Sequence, residues 1–131
     1  MQDSKYLVAN DRDAQWGLVV NTVGYDEVGP DEDYPTKGHG DGYFFDVERG
    51  RVLDEYQMLY LIEGEGIFSS EHVRNVHIKA GDIFLLFPGE WHTYHPLREC
   101  SGRAIGLATR AATWTTVCAT TSCRSRSPYI M

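Results

Sequence analysis

The segment GDIFLLFPGEWHTYHP, from Gly81 to Pro96, decides the fold of this chain. A glycine turn begins a run of apolar residues, and Pro88 and Gly89 end that run sharply, because proline fixes its own φ and glycine permits positive φ. His92 follows on the next predicted strand. Short apolar runs between such turns are typical of β-strands rather than helices.

The rest of the body repeats this pattern. Besides DIFLLF from Asp82, the predicted strands are WGLVVNTVGY from Trp16, GYFFDVE from Gly42, YQMLYLIE from Tyr56, GIFSS from Gly66 and VRNVHIK from Val73. The breaks include an EGEG hairpin at Glu63 to Gly66 and a KAGD turn at Lys79 to Asp82. No window shows sustained helical periodicity. The pattern therefore predicts an all-β sandwich or closed barrel.

Composition narrows the class of protein. A chain of 131 residues has room for one domain and one core. Its net charge of −7 argues against direct contact with nucleic acid, since phosphate binding needs clustered Lys and Arg. No stretch reaches the roughly 18 apolar residues of a membrane span, and the start lacks the apolar core of a signal peptide. We therefore predict a cytoplasmic protein without a membrane partner.

The chain changes character after Glu99, where the last Asp or Glu occurs. Beyond it lie the arginines Arg103, Arg110, Arg124 and Arg126 and the cysteines Cys100, Cys118 and Cys123. An odd cysteine count in an unsecreted protein does not suggest a disulfide framework, so we expect reduced thiols. We predict a domain over residues 1–99 and an atypical, irregular tail over residues 100–131.

The tail reads as an out-of-frame translation. Permitted codons for Ala112 to Met131, started one nucleotide earlier, give GYMDDRVRNNFLSKQKPLYH without a stop. The same procedure upstream gives a strand-like aromatic stretch from Gly102. The out-of-frame tail would then replace this strand and the polar, helix-like segment that the other frame encodes. A genuine Ser/Thr/Arg tail remains the alternative.

The spacing G-x6-P-G-x2-H, followed by Tyr94, resembles the second motif of the cupin superfamily and the sensor domains of AraC-type transcription regulators. RVLDEYQMLYLIEGEGIF, from Arg51 to Phe68, resembles the strand and turn upstream in the same domains. The resemblance covers the body up to Glu99. It implies a cupin double-stranded β-helix (jelly-roll) barrel that senses a small molecule and catalyses no reaction.

In the family, a sugar lies inside the barrel against an aromatic ring and is held by Arg and Tyr. The motifs carry these roles onto Tyr94 and onto Arg51, or Arg49 if the alignment has a gap. The remaining candidate ligand-binding residues are His92, Tyr56, Met58 and Tyr60. The resemblance implies a saccharide, or a uronic acid if Arg51 faces inward.

Each candidate residue also has a simpler structural interpretation. Arg51 can pair with an acidic neighbour on the surface, and Tyr56, Met58 and Tyr60 share one strand face that can simply fill the core. His92 can form a hydrogen bond within its turn.

A metal site is not expected. Cupin enzymes bind metal through an H-x-H motif, a Glu and the His of the second motif, but this chain has Tyr56, Gln57 and Met58 at the first of these places. His92 and His95 lie three apart on a strand and should face opposite sides. We predict no cofactor and no catalysis. The alternatives are a small metal-dependent cupin isomerase or dioxygenase, a stand-alone cupin-like binding protein, and a truncated product with exposed strand edges.

In the family, a helix-turn-helix domain follows the sensor domain. We expect no such domain within these 131 residues, so this chain alone is not expected to bind DNA. Ligand occupancy would change a dimer interface or an acidic N-terminal arm that contains Asp3, Asp11 and Asp13. A homodimer is left open.

Overall fold

The fold was analysed in a computed structural model, which describes residues 3–29, 32, 34, 46–97 and 102–111. The elements along the chain are β1 (Asp3–Tyr6), α1 (Asp11–Ala14), β2 (Leu18–Val28), β3 (Arg51–Val52), β4 (Tyr56–Glu63), β5 (Glu65–Ser70), β6 (Val76–Lys79), β7 (Ile83–Leu86), β8 (Trp91–Pro96) and β9 (Gly102–Ala111). The predicted all-β class is confirmed. In the described part of the chain, no helix is long and apolar enough to cross a membrane.

The strands form two antiparallel sheets. The first has five strands in the order β1-β2-β9-β4-β7, and the second has four strands in the order β3-β8-β5-β6. The chain crosses between the sheets from β4 to β5, from β6 to β7 and from β7 to β8, while β5 and β6 are neighbours in the second sheet, an arrangement compatible with a jelly roll. The residues between the two sheets therefore form the interior of the molecule.

The apolar core joins both sheets. Phe68 of the second sheet and Phe84 of the first are fully buried, and their ring centroids are 5.4 Å apart. The other buried members of this cluster are Leu59, Leu61, Ile78 and Leu86. Burial of a large apolar side chain stabilises a fold by about 1.5–3 kcal/mol, so this cluster holds the sheets together.

Several predicted elements are confirmed at the residue level. The strand predicted from Tyr56 is β4, and the KAGD turn closes where the Asp82 amide donates to the Lys79 carbonyl at 3.0 Å. The EGEG segment is a turn, but the prediction of a hairpin is wrong, because β4 and β5 pair with other strands in different sheets. Such a turn can also serve as a corner between two packed sheets.

The strand predicted from Gly42 lies largely outside the described residues. The part of it that is described, from Asp46, belongs to a turn.

β9 extends the sheet beyond the boundary predicted at Glu99. It pairs with β2 on one side and β4 on the other, and it ends at Ala111. The expectation that regular structure ends within a few residues of Gly102 is therefore wrong for residues 102–111. The small residues Ala104, Gly106 and Ala108 border the cavity. Their spacing of two is the one that places residues on the same face of a β-strand. The cysteines and residues 112–131 lie outside the described residues.

The acidic N-terminal region contains β1 and a short helix. The Asn10 side chain accepts hydrogen bonds from the Arg12 and Asp13 amides, and the Asp13 carboxylate accepts one from the Asn10 amide. This reciprocal capping box satisfies amides that a helix of this length otherwise leaves unpaired. The predicted role of this region as a regulatory arm remains a prediction.

Candidate functional site

A cavity of about 150 Å³ lies between the two sheets. Its apolar wall consists mainly of Val28, Leu59, Leu61, Ile78, Phe84, Ala104, Leu107 and Ala108. Polar side chains also reach it, among them Thr22, Asp26, Tyr34, Arg51, Gln57 and Tyr94. An apolar cavity of about 150 Å³ is large enough to take up a benzene ring. An apolar wall with a few converging polar groups is the usual composition of a small-molecule site.

A two-residue strand positions Arg51 in this cavity. β3 pairs with β8, so that Arg51 lies opposite His92 and Val52 opposite Trp91. The Trp91 indole donates to the Arg49 carbonyl at 2.7 Å and so anchors the chain before β3. The pairing with β8 and the Trp91–Arg49 hydrogen bond hold β3 in place. The Arg51 side chain points from this strand into the barrel.

The Arg51 guanidinium organises the polar end of the cavity. Its Nη2 donates to the Tyr94 hydroxyl at 3.3 Å and to Gln57 Oε1 at 3.4 Å, and its Nε donates to His92 Nε2 at 3.3 Å. The Gln57 amide in turn donates to Glu55 Oε1 at 3.3 Å. These residues come from three separate strands and the turn before β4. The network therefore depends on tertiary folding.

His92 is neutral in this arrangement. Its Nε2 accepts from Arg51 and therefore carries no proton, while Nδ1 lies 3.2 Å from the Glu90 carbonyl and can donate to it. Burial, followed by the Arg51 charge, lowers the pKa of His92 from 6.5 to about 4. The predicted hydrogen bond within the turn is thus present. His92 lies outside the cavity and positions the Arg51 guanidinium through this hydrogen bond.

Two aromatic rings pack against the ring of Tyr94. The Phe84 ring packs edge-on against Tyr94 at 5.3 Å, and the Tyr34 ring lies at 6.0 Å. Burial, and then the hydrogen bond and charge interaction with Tyr94, raise the pKa of Tyr34 well above its ordinary value. The Tyr34 phenol therefore stays protonated at neutral pH. Tyr34 and Tyr94 both line the cavity. They offer the cavity hydroxyl groups that can donate or accept.

The predicted site residues divide into two groups. Arg51 and Tyr94 line the cavity, with His92 directly behind them. Tyr56 and Met58 share one face of β4, as predicted, but that face points away from the cavity and borders a small crevice with Phe87. Tyr60 is 41% exposed and lies in neither place.

The residues that sequence reasoning missed are those that alternate with this group. Gln57, Leu59 and Leu61 face the cavity from β4. Gln57 did carry a signal, because it is the single polar residue within the apolar run YQMLYLI and a buried amide needs hydrogen-bond partners. Tyr34 and Asp26 carried no comparable signal.

The polar end of the cavity does not fit a metal ion. The His92 Nε2 lone pair that would bind a metal accepts a hydrogen bond from Arg51. A guanidinium at this distance would also repel a divalent cation. Among the described residues, no group of three or more His, Cys, Asp and Glu side chains has the geometry to hold a metal ion.

The chain matches the family profile of the AraC-like ligand binding domain over residues 34–122, which is more than half of its length. The fold and the cavity define a cupin-like ligand-binding barrel, and the chain belongs to the AraC-like ligand-binding domain family. A search of curated proteins gave no match.

Several solved structures are similar to this chain. The protein YhaK from Escherichia coli superposes with a TM-score of 0.60 at 12% identity, over 100% of this chain and 49% of that one. This chain therefore spans about half the length of YhaK. A predicted oxalate decarboxylase from Thermotoga maritima gives a TM-score of 0.49 at 16% identity, covering 82% of this chain and 78% of the other. A Cupin 2 conserved barrel domain protein from Salinispora arenicola CNS-205 gives 0.48 at 18% identity, covering 88% and 81%.

Proposed function

We propose that this chain is the sensing domain of an AraC-type transcription regulator, which binds a saccharide or a uronic acid in the cytoplasm and catalyses no reaction. The observation that carries this proposal is the Arg51–Tyr94 pair at the polar end of an apolar cavity. The fork of N–H donors on Arg51 suits a carboxylate or adjacent hydroxyls. Ligand occupancy would shift the conformation that the rest of the regulator reads.

The cavity favours a compact ligand with one polar edge. Its volume of about 150 Å³ suits one six-membered ring rather than an oligomer. Leu59 and Phe84 offer an apolar surface to the less polar face of a ring, while Arg51, Gln57 and Tyr94 lie together at one end. This asymmetry favours a uronic acid, with its carboxylate toward Arg51, over a neutral hexose.

The test is thermal unfolding with and without D-galacturonate, D-glucuronate and the matching neutral hexoses. A ligand at 100-fold its dissociation constant adds about 2.7 kcal/mol of stability, which raises the melting temperature by several degrees. Arg51→Met should weaken uronate binding about tenfold to a hundredfold, since a hydrogen bond to a charged group contributes about 1.5–3 kcal/mol.

Matched controls separate the site from the rest of the surface. Arg74→Met removes the same charge from an exposed side chain, whose guanidinium carbon lies 4.6 Å from the centre of the Trp91 ring. This variant should leave binding unchanged. Tyr94→Phe should weaken binding, whereas Tyr60→Phe on the outer face should not. No shift with any saccharide would exclude the sugar proposal and leave the family assignment intact.

The alternative function is a small metal-dependent cupin enzyme. The fold of the structural neighbours is compatible with it, but the Arg51 contact with His92 opposes metal binding at the expected place. Metal analysis of the purified protein distinguishes the two functions. The purified chain is compared with its His92→Ala variant. If the original chain holds about one equivalent of transition metal and the variant holds none, the enzyme is favoured and the sensor proposal is overturned.

A further inference from the structure

We propose that two copies of this chain associate through β1, so that their five-stranded sheets join into one continuous sheet across a twofold axis. β1 is the first strand of its sheet and pairs with β2 along one side. Within the described residues, no strand pairs with its other side, and all four residues of β1 are exposed. An unprotected strand edge is a template for pairing with another strand.

The backbone of β1 has the geometry for this pairing. The Leu7 amide donates to the Asn21 carbonyl at 2.8 Å, in the register that pairs Lys5 with Val23 and Asp3 with Tyr25. Hydrogen-bonded and non-hydrogen-bonded pairs alternate along an antiparallel ladder. The amide and carbonyl of Ser4 and Tyr6 therefore point away from β2, toward the free edge. Two Ser4 residues facing each other across a twofold axis would exchange both backbone hydrogen bonds.

The charges of β1 select the same register. With the axis at Ser4, Asp3 lies opposite Lys5 of the partner subunit, and Lys5 lies opposite the partner subunit's Asp3. An axis at Tyr6, whose backbone groups also point to the free edge, would instead place Lys5 opposite Leu7 of the partner subunit and leave the charges of β1 without opposite partners across the axis. Opposite charges across a strand pair stabilise it and like charges destabilise it. Backbone direction and side-chain charge thus agree on a self-complementary edge, as a twofold interface requires.

This interface would lie beside the cavity of each copy. Asp3, Ser4 and Tyr6 also border the cavity. Pairing would hold β1 in place and so fix the part of the cavity wall that β1 forms in both copies. The interface is independent of which ligand the cavity binds.

The test is sedimentation velocity over a concentration series of the full chain at about 150 mM salt, where screening limits repulsion between two acidic molecules. We expect a monomer–dimer equilibrium. Lys5→Asp places two acidic pairs across the axis and should weaken the dimer about tenfold. The exchange Asp3→Lys with Lys5→Asp restores both pairs and should return the dimer constant to within about threefold of the original.

Two further variants test whether the effect belongs to this edge. Ser4→Pro removes an amide that points away from β2, so it should abolish the dimer and keep the fold. Arg12→Asp makes the same change of charge as Lys5→Asp on an exposed residue outside β1, and it should leave the dimer constant unchanged. A monomer at all concentrations up to about 100 μM, or a dimer that Lys5→Asp and Ser4→Pro leave intact, would overturn the proposal.

Discussion

Arg51 and His92 fix each other's state at the polar end of the cavity. The guanidinium needs an acceptor at its Nε, and His92 can accept there only when it is neutral. The positive charge in turn disfavours protonation of His92. Sequence motifs indicated both residues, but the contact that makes each depend on the other joins positions 41 apart in the chain.

The burial of His92, together with the nearby charge of Arg51, predicts a loss of stability in mild acid. The pKa of His92 is about 4 in the folded chain and near 6.5 in the unfolded chain, so the unfolded chain binds one more proton between these values. Stability present at neutral pH is therefore lost as the pH falls from about 6.5 toward 4, by about 3 kcal/mol. Urea unfolding at several pH values measures this loss.

His92→Gln is the control for the titration. Glutamine can still accept a hydrogen bond from Arg51 but does not titrate, so the variant should lose about 3 kcal/mol less than the original chain over the same interval. Carboxylates contribute to both proteins and cancel in the difference. Equal slopes in the two proteins would show that His92 is not the titrating group.

At the scale of elements, the short strand β3 depends on the tight turn before it. Gly50 has a φ of +65°, and a Cβ there would lie 2.6 Å from the His92 carbonyl oxygen and 2.6 Å from the Trp91 indole nitrogen. Only glycine satisfies both conditions. The position of Arg51 thus rests on a residue without a side chain.

Gly50→Ala should destabilise the chain by about 3 kcal/mol, because the variant combines an unfavourable φ with a clash against backbone. It should also weaken ligand binding, since β3 must move. Gly89→Ala is the matched control, with a φ of +76° and no heavy atom within 4 Å of the added Cβ. We expect about 1 kcal/mol there. Equal costs in urea unfolding would show that the close approach at Gly50 is unimportant.

β4 shows where element-level prediction stops. Its limits follow from the sequence, because YQMLYLIE is bounded by turn residues. Which of its two faces lies inward does not, since Tyr56, Met58 and Tyr60 are large enough to fill a core as Leu59 and Leu61 do. A shift of one residue exchanges the two faces of a strand, and the pairing of β4 with β7 and β9 decides between them.

At the scale of the whole molecule, one prediction concerns the reading frame of the last part of the chain. The proposed out-of-frame segment covers residues 100–131, and the backbone pairing of β9 with β2 and β4 is compatible with either frame over residues 102–111. The absence of Asp and Glu beyond Glu99 still motivates the proposal.

A nucleotide read of the gene from the Trp91 codon to several hundred bases past the Met131 codon tests this proposal. We expect the shifted frame to run open into a helix-turn-helix region. The family profile extends to residue 122, so the read also decides whether the last matched residues are authentic. If the printed frame is the only open one, the regulator proposal fails, and a stand-alone cupin-like binding protein takes its place.

The sequence by itself determined the all-β class and the family, and it included Arg51 and Tyr94 among its candidate site residues, because these depend on turn residues and motif spacing that are local in the chain. The tertiary structure decided which face of β4 lines the cavity, and it brought Gln57, Tyr34 and Asp26 to the site. It also made β9 a central strand. The physical reason is that strand pairing and burial are set by contacts between distant segments, and no local pattern records them.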